Sequence, residues 1–231
     1  MNKKILITGT SRGIGDYLAK YYINLGYQVF GCSRKDVEPF SDNYYHFELD
    51  ICDEPSVKKM FAKINTEFDG IDILINNAGI ASMNHSLLTT IDTVKNIFDT
   101  NFTATFLFCR EAAKLMQKKK FGRIVNFSTV AFPLSLDGEA VYASSKAAVV
   151  SLTKILAKEF APFNITINAV GPTPVKTDLI KSVPVEKINN LINQQAIKRF
   201  GNFNDIANVI DFFIKTESNF ITGQEIYLGG V

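Results

Sequence analysis

The chain contains no run of about 20 consecutive apolar residues, the length a helix needs to cross a bilayer. No membrane partner is therefore expected. Its start, "MNKKILITGT", enters an apolar segment too short for the core of a signal peptide and meets a glycine loop instead. An excess of one charge is also missing: 25 Lys and Arg against 23 Asp and Glu leave a formal net charge of +2, so nothing electrostatic points to nucleic acid as a partner. The one basic run, "KLMQKKKFGR" at 114–123, reads as the solvated end of a helix, where lysines complement the backbone dipole. Only three cysteines occur, Cys32, Cys52 and Cys109, with no CxxC pair and no histidine at metal-ligand spacing. This argues against a disulfide framework and a zinc site, and for a reducing, cytoplasmic setting. Repeats, low-complexity tracts and Pro/Gly/Ser linkers are absent too, so 1–231 is expected to form one domain. Its 46% hydrophobic and 21% charged residues suit a packed core.

What is present is an alternation of short β-branched runs with longer helical patterns. Strands are expected at 3–8, 27–32, 44–49, 71–76, 122–128, 165–170 and 224–229. Helices are expected from Gly13 to about Leu25, from Pro55 to Phe68 with Asp53 as cap, over Thr93 to Lys119 and Ala140 to Phe160, and near 186–197 and 204–214. The strands are nearly continuous in apolar residues, as strands covered on both faces should be. The pattern predicts a single-domain α/β fold, a doubly wound parallel sheet of about seven strands with helices on both faces.

The first strand runs into "TGTSRGIG", Thr8 to Gly15, and straight into a helix. Glycines at 9, 13 and 15 permit a tight turn and close approach of backbone to a phosphate, and the helix N-terminus supplies free N–H groups. Later, Tyr142 and Lys146 stand four residues apart in "AVYASSKAAVV", on one face of a helix. An ammonium beside a phenol favours the phenolate, which brings a tyrosine closer to the range in which it exchanges protons.

In this order, the glycine loop, "NNAG" at 76–79, the YxxxK of Tyr142 and Lys146, and "ITGQEIYLGG" resemble the short-chain dehydrogenase/reductase family over nearly the whole chain. The resemblance implies a Rossmann-type fold, a nicotinamide cofactor, hydride transfer to the carbon of a small-molecule carbonyl substrate, and a homodimer or homotetramer. It implies Tyr142 as proton donor, Lys146 holding the cofactor ribose and tuning Tyr142, and Asn101 ordering a water relay. A hydroxyl on the fifth strand would bind the substrate oxygen. Relatives place a serine thirteen residues before the tyrosine; here that position is Thr129, with Ser128 just before it. Successive side chains of an extended segment point to opposite faces, so one hydroxyl serves and Thr129 is expected to be it. The cofactor contacts carried over are Gly9, Ser11, Arg12, Gly13, Ile14 and Gly15 in the loop, Asp50 and Ile51 at the adenine, Asn77, Ala78 and Gly79 after the fourth strand, and Pro172, Val175 and Thr177 near the carboxamide.

Charge argues for the cofactor's identity. The second strand ends "GCSRK", with Ser33 and Arg34 where an NAD-binding chain offers a carboxylate to the ribose 2′-OH. Arg12 supplies a second cation, and NADP(H) is expected over NAD(H).

Two departures from the family pattern stand out. Thr173 replaces a glycine after Pro172, which suggests altered loop geometry, since threonine tolerates positive φ poorly. The segment "RKDVEPFSDN" is too short for the helix many relatives carry there. "AFPLSLDGEAV" before Tyr142 and the region 178–197 are expected to wall the substrate, with Phe132, Pro133 and Leu134 as apolar contacts and Asp137 and Glu139 as polar ones; His85 offers polarity nearby and reads first as a solvated loop histidine, second as a substrate ligand. A ketone or 3-oxoacyl thioester is the first expectation, a keto-sugar the second. A non-catalytic NADP-binding redox sensor and a nucleotide-sugar dehydratase or epimerase are the alternatives from other classes. Phe102, Phe106, Phe108, Val149, Val150 and Leu152 exceed what one sheet face covers, which points to helix pairing between subunits.

Overall fold

A computed structural model describes residues 3–180 and 183–231. Met1 and Asn2 of the expected N-terminal run, and Lys181 and Ser182 of the expected substrate wall, lie outside the described residues. Seven strands form one parallel sheet: β1 (Lys4–Thr8), β2 (Gln28–Ser33), β3 (Tyr44–Glu48), β4 (Ile73–Asn76), β5 (Gly122–Phe127), β6 (Ile165–Gly171) and β7 (Glu225–Tyr227). Their order is β3-β2-β1-β4-β5-β6-β7. The chain winds outward from β1 in one direction, then returns to β4 and winds in the other. That reversal opens a crevice at the carboxyl ends of β1 and β4, where ligands bind in such sheets.

Helices cover both faces. On one, α2 (Glu54–Phe68), α4 (Ala104–Lys119) and α5 (Ala140–Phe160) pack on Leu6, Phe30, Leu74, Ile124 and Ile167. On the other, α1 (Gly13–Asn24) and α7 (Phe203–Ile214) pack on Ile5, Ile7, Val29, Ile75 and Val125. Alternate residues of β1 thus enter opposite cores, which is why the strand reads as an unbroken apolar run. Each such side chain contributes about 1.5–3 kcal/mol of burial. Asp53 caps α2 as expected, accepting from Ser56 N at 3.3 Å. No helix separates β2 from β3, and no helix among the described residues is long and apolar enough to cross a membrane.

Two expectations change. The helix expected over Thr93 to Lys119 is three pieces: α3 (Ile91–Phe98), capped by Thr90, a π-helical turn at Asp99–Thr103, and α4. A π turn inserts one residue without a proline or glycine to announce it, so helical periodicity does not reveal it. The apolar surplus on the long helices is also smaller than composition suggested. Phe108, Val149, Val150 and Leu152 are buried inside the monomer; Phe102 is half-buried, and of the six only Phe106 is exposed.

Candidate active site

A cleft of about 1220 Å³ opens at the carboxyl ends of the strands. It exceeds the roughly 300–1,000 Å³ of a pocket for one small ligand, which suits a dinucleotide with a second molecule beside it. Gly9, Ser11, Arg12, Gly13, Ile14, Ser33, Arg34, Asp50, Ile51, Asn77, Ala78, Gly79, Thr129, Tyr142, Lys146, Pro172, Val175 and Thr177 all line it. Gly15 and Asn101 do not; both stand behind its wall.

The glycine loop leaves β1 with Gly9 at φ +76° and enters α1 through Gly13 at φ +61°, both in the left-handed region that glycine adopts freely. Gly15 serves packing: a Cβ there would lie 2.1 Å from Gly9 O. The loop is tied to β2 by Gly9 N donating to Cys32 O at 2.8 Å, and to the segment after β4 by Asn77 Nδ2 donating to Thr8 O at 2.9 Å. Asn76, by contrast, is buried in β4, where it donates to Asn126 Oδ1 at 2.8 Å. Arg12 is the N-cap of α1 without a side-chain cap, so the first-turn N–H groups of α1 have no capping side chain at the cleft. That is the donor set an anionic phosphate takes.

At the end of β2, Ser33 Oγ donates to Lys35 O at 2.6 Å and lies 3.1 Å from His46 Nε2. His46 Nδ1 is 2.8 Å from Tyr44 Oη, which donates to Thr10 Oγ1 at 2.9 Å, so the rim of this subsite is braced back to the glycine loop. Burial pushes the His46 imidazole down from its ordinary value. Arg34 and Lys35 both line the cleft here. Lys35 was not singled out from sequence, although it follows Arg34 directly. Arg12 lines the same cleft and also pairs with Asp178 Oδ2 at 3.4 Å, because the chain after β6 brings that carboxylate back over the loop.

The chemistry-bearing groups gather between β5 and α5. Thr129 lines the cleft with Tyr142, its hydroxyl accepting from Ala131 N at 3.2 Å, while Ser128 Oγ donates to Glu225 Oε1 at 2.5 Å. Burial raises the Tyr142 phenol to about 12, Thr129 pulls it down, and the nearby Glu139 adds a smaller upward push. Lys146 Nζ donates to Phe127 O at 2.9 Å, and burial lowers its ammonium to about 8. Asn101, completely buried in the π turn, accepts from Ile80 N at 2.9 Å and donates to Ile80 O at 2.9 Å and to Ser145 Oγ at 3.0 Å. Its side chain braces the strand-four loop against α5. Gly79 fits between: a Cβ there would lie 3.1 Å from Asn101 Oδ1 and 3.4 Å from Lys146 Nζ.

Thr173 keeps an ordinary negative φ, so the loop needs no glycine at that position. Its bulk is accommodated elsewhere. A Cβ on Gly201 would meet Thr173 Oγ1 at 2.8 Å, and one on Gly229 would meet its Cγ2 at 2.7 Å. The substrate wall also differs from expectation. Phe132, Pro133 and Leu134 do not line the cleft; Val130, Ala131, Leu136, Asp137 and Glu139 do, faced by Met83 and by Lys187, Ile188 and Leu191 of α6 (Val185–Gln194), and His85 is exposed outside it, as its reading as a solvated loop histidine has it. The turn at 132–136 carries Phe132 out to solvent, and His85 is spent capping a short 3₁₀ turn.

A family model described as enoyl-(acyl carrier protein) reductase matches residues 9–230. The chain is 32% identical over 234 residues to the 3-oxoacyl-[acyl-carrier-protein] reductase FabG of Vibrio cholerae serotype O1, covering 99% of this chain and 96% of that protein. It is 31% identical over 240 residues to FabG of Staphylococcus aureus (strain Mu50), covering 100% and 98%. Among solved structures it is similar to ElxO with NADP bound, at TM-score 0.90 and 32% identity over 99% of this chain and 97% of that one. It is likewise similar to 4-hydroxyisoleucine dehydrogenase complexed with NADH, at TM-score 0.87 and 29% identity over 99% and 98%. With the glycine loop at the switch point, a tyrosine and lysine one turn apart at its far end, and likeness running the length of the molecule, the chain belongs to the short-chain dehydrogenase/reductase family.

Proposed function

We propose that the protein is an NADP(H)-dependent oxidoreductase that interconverts a carbonyl and a secondary alcohol, with ketones or 3-oxoacyl thioesters as its substrate class. The observation that carries this reading is the convergence of Thr129, Tyr142 and Lys146 at one end of a cleft whose other end is built for phosphates. The uncapped N-terminus of α1 suits a pyrophosphate, and Arg34 and Lys35 beside Ser33 suit a ribose 2′-phosphate better than a free 2′-OH. NADPH, when bound, supplies the hydride. The 3-oxoacyl substrate class draws on the two FabG relatives named above, described as 3-oxoacyl-[acyl-carrier-protein] reductases.

Tyr142, held protonated at neutral pH by burial, donates its phenolic proton to the carbonyl oxygen as negative charge develops there. Thr129 donates a hydrogen bond to the same oxygen, a fixed dipole in a site shielded from water. Lys146 brings an ammonium with no carboxylate beside it among the described residues, and that charge stabilises the phenolate left on Tyr142. Asn101 acts by holding Ile80 and Ser145, which keeps the strand-four loop and α5 in register.

The test is loss of NADPH absorbance against a panel of ketones, 3-oxoacyl thioesters and keto-sugars, with Tyr142→Phe beside the native protein. Turnover that vanishes in the variant supports the reading. NADPH binding without turnover of any substrate points to the redox-sensor alternative. A polar carbonyl such as a keto-sugar is the second substrate reading, favoured by Asp137 and Glu139 in the wall. Pairing of subunits through α4 and α5, where Phe106 and Ile155 are exposed, is the assembly we propose; light scattering that gives a monomer mass at micromolar concentration would refute it.

A further inference from the structure

Glu139 is the one acidic side chain of the cleft that is almost fully buried, at 7% exposure, and its Oε2 has no hydrogen-bond partner among the described residues. It sits at the N-cap of α5, where a carboxylate commonly accepts from first-turn N–H groups, yet its side chain makes no capping bond. Instead it lines the same cleft as Thr129 and Tyr142, one helical turn before the tyrosine. An unpaired buried acceptor is destabilising, and an apolar ligand laid over it would leave it unpaired.

The surroundings select what can pair with it. Lys187 of α6 approaches from the opposite wall: a Cβ on Gly138 would stand 3.6 Å from its Nζ, and its charge draws the Glu139 carboxyl down. That cation repels a substrate ammonium. Burial dominates, however, and holds the acid at about 7, so near neutrality the group both donates and accepts. A hydroxyl does the same.

We infer that Glu139 is a specificity-determining residue that hydrogen-bonds a hydroxyl group carried by the substrate within a few bonds of the carbonyl that faces Tyr142 and Thr129. This rests on the carbonyl-reductase reading above and narrows its substrate class toward hydroxylated carbonyl compounds. Residues i and i+3 at a helix start lie about 5–6 Å apart, so a hydroxyl two to four bonds from the carbonyl carbon spans the gap. A pocket that makes such a bond discriminates against the methyl isostere because the buried group is then left unpaired.

Three matched pairs test it: hydroxyacetone with 2-butanone, 4-hydroxy-2-butanone with 2-pentanone, and 5-hydroxy-2-pentanone with 2-hexanone. Binding of each to the NADP⁺-loaded protein, where no reduction occurs, is measured by calorimetry, and kcat/KM with NADPH is measured separately. At least one hydroxyketone is expected to bind roughly 10- to 100-fold more tightly than its isostere. That preference should fall to near unity in Glu139→Leu and be kept in part by Glu139→Gln, whose amide oxygen still accepts and whose shape preserves the fold. Equal affinity within every pair, no measurable binding of any member, or a preference unchanged in Glu139→Leu overturns the inference. If the preference holds in calorimetry but neither member of any pair is reduced, the catalytic reading fails and the assignment of Glu139 stands.

Discussion

Ser128 Oγ donates to Glu225 Oε1 at 2.5 Å on one face of the chain, while its neighbour Thr129 lines the cleft with Tyr142 on the other and draws the phenol's proton affinity down. Thr129→Ala should therefore lower kcat by about 10²–10³-fold, the cost of removing one donor from a developing oxyanion. Ser128→Ala should change kcat by less than ~3-fold while lowering the melting temperature, because Glu225 loses a buried partner. Thr129→Ser should retain most activity, since the donor remains. Steady-state rates of the three variants check the assignment, and a larger loss in Ser128→Ala would show that the neighbouring hydroxyl does the work.

Lys146 has no carboxylate beside it among the described residues; its Nζ contacts the Phe127 carbonyl, and burial holds its ammonium near 8. Below that value the site presents a positive charge to an anionic cofactor, and above it the charge is lost. The expected outcome is that kcat/KM for NADPH, which reports the free enzyme, falls about 30-fold between pH 7 and pH 9.5. Lys146→Arg, charged throughout this range, should remove the alkaline limb even where it lowers the plateau. A native profile that stays flat to pH 9.5 would mean that the charge on Lys146 is irrelevant to cofactor capture.

At the other end of the cleft, Arg34 and Lys35 flank a buried Ser33, and Arg12 is engaged with Asp178. Arg34→Ala should raise the dissociation constant of NADPH by about 10- to 100-fold, the value of a charge-assisted hydrogen bond, and change that of NADH by less than ~3-fold. Ser33→Asp should go further and reverse the preference, because a carboxylate accepts from a 2′-OH and repels a phosphate. Calorimetric titration with both cofactors decides; equal weakening of NADH and NADPH would place Arg34 away from the 2′-phosphate.

Much of this architecture was legible because the forces that build it are local or periodic. Ile5, Leu6 and Ile7 are all apolar since β1 has a core on each face, and that alone marks a buried parallel strand. Tyr142 and Lys146 meet because a helix brings residues four apart together. Groups whose partners lie far along the chain were illegible. Asn101 is placed by a π turn that leaves no trace in the helical pattern, and its partners Ile80 and Ser145 sit on separate elements. Arg12 finds Asp178 across 166 positions. Thr173 fits because Gly201 and Gly229, from two other segments, give it room. Phe108 and Val149 looked like surplus only because the depth of the core beneath α4 and α5 is not written in either helix.

Glu139 gives a stability signature independent of catalysis. Its carboxyl is raised from 4.5 to about 7, mainly by burial, so the folded protein binds this proton more tightly than the unfolded chain does. The group is therefore without penalty below about pH 4.5. As pH rises toward 7 the folded state must ionise a buried acid that Lys187 offsets only in part or keep a proton the unfolded chain has released, and the resulting cost grows to roughly 3 kcal/mol and is complete above pH 7. Glu139→Gln cannot ionise and escapes that cost. The variant should thus gain on the native protein as pH rises, its melting temperature moving upward relative to native by about 5–10 °C between pH 5 and pH 8. Paired thermal melts at the two pH values measure the difference directly. A gap between variant and native that is the same at pH 5 and pH 8 would mean that the carboxyl is already paired or hydrated, and the case for a substrate hydroxyl at that position would weaken with it.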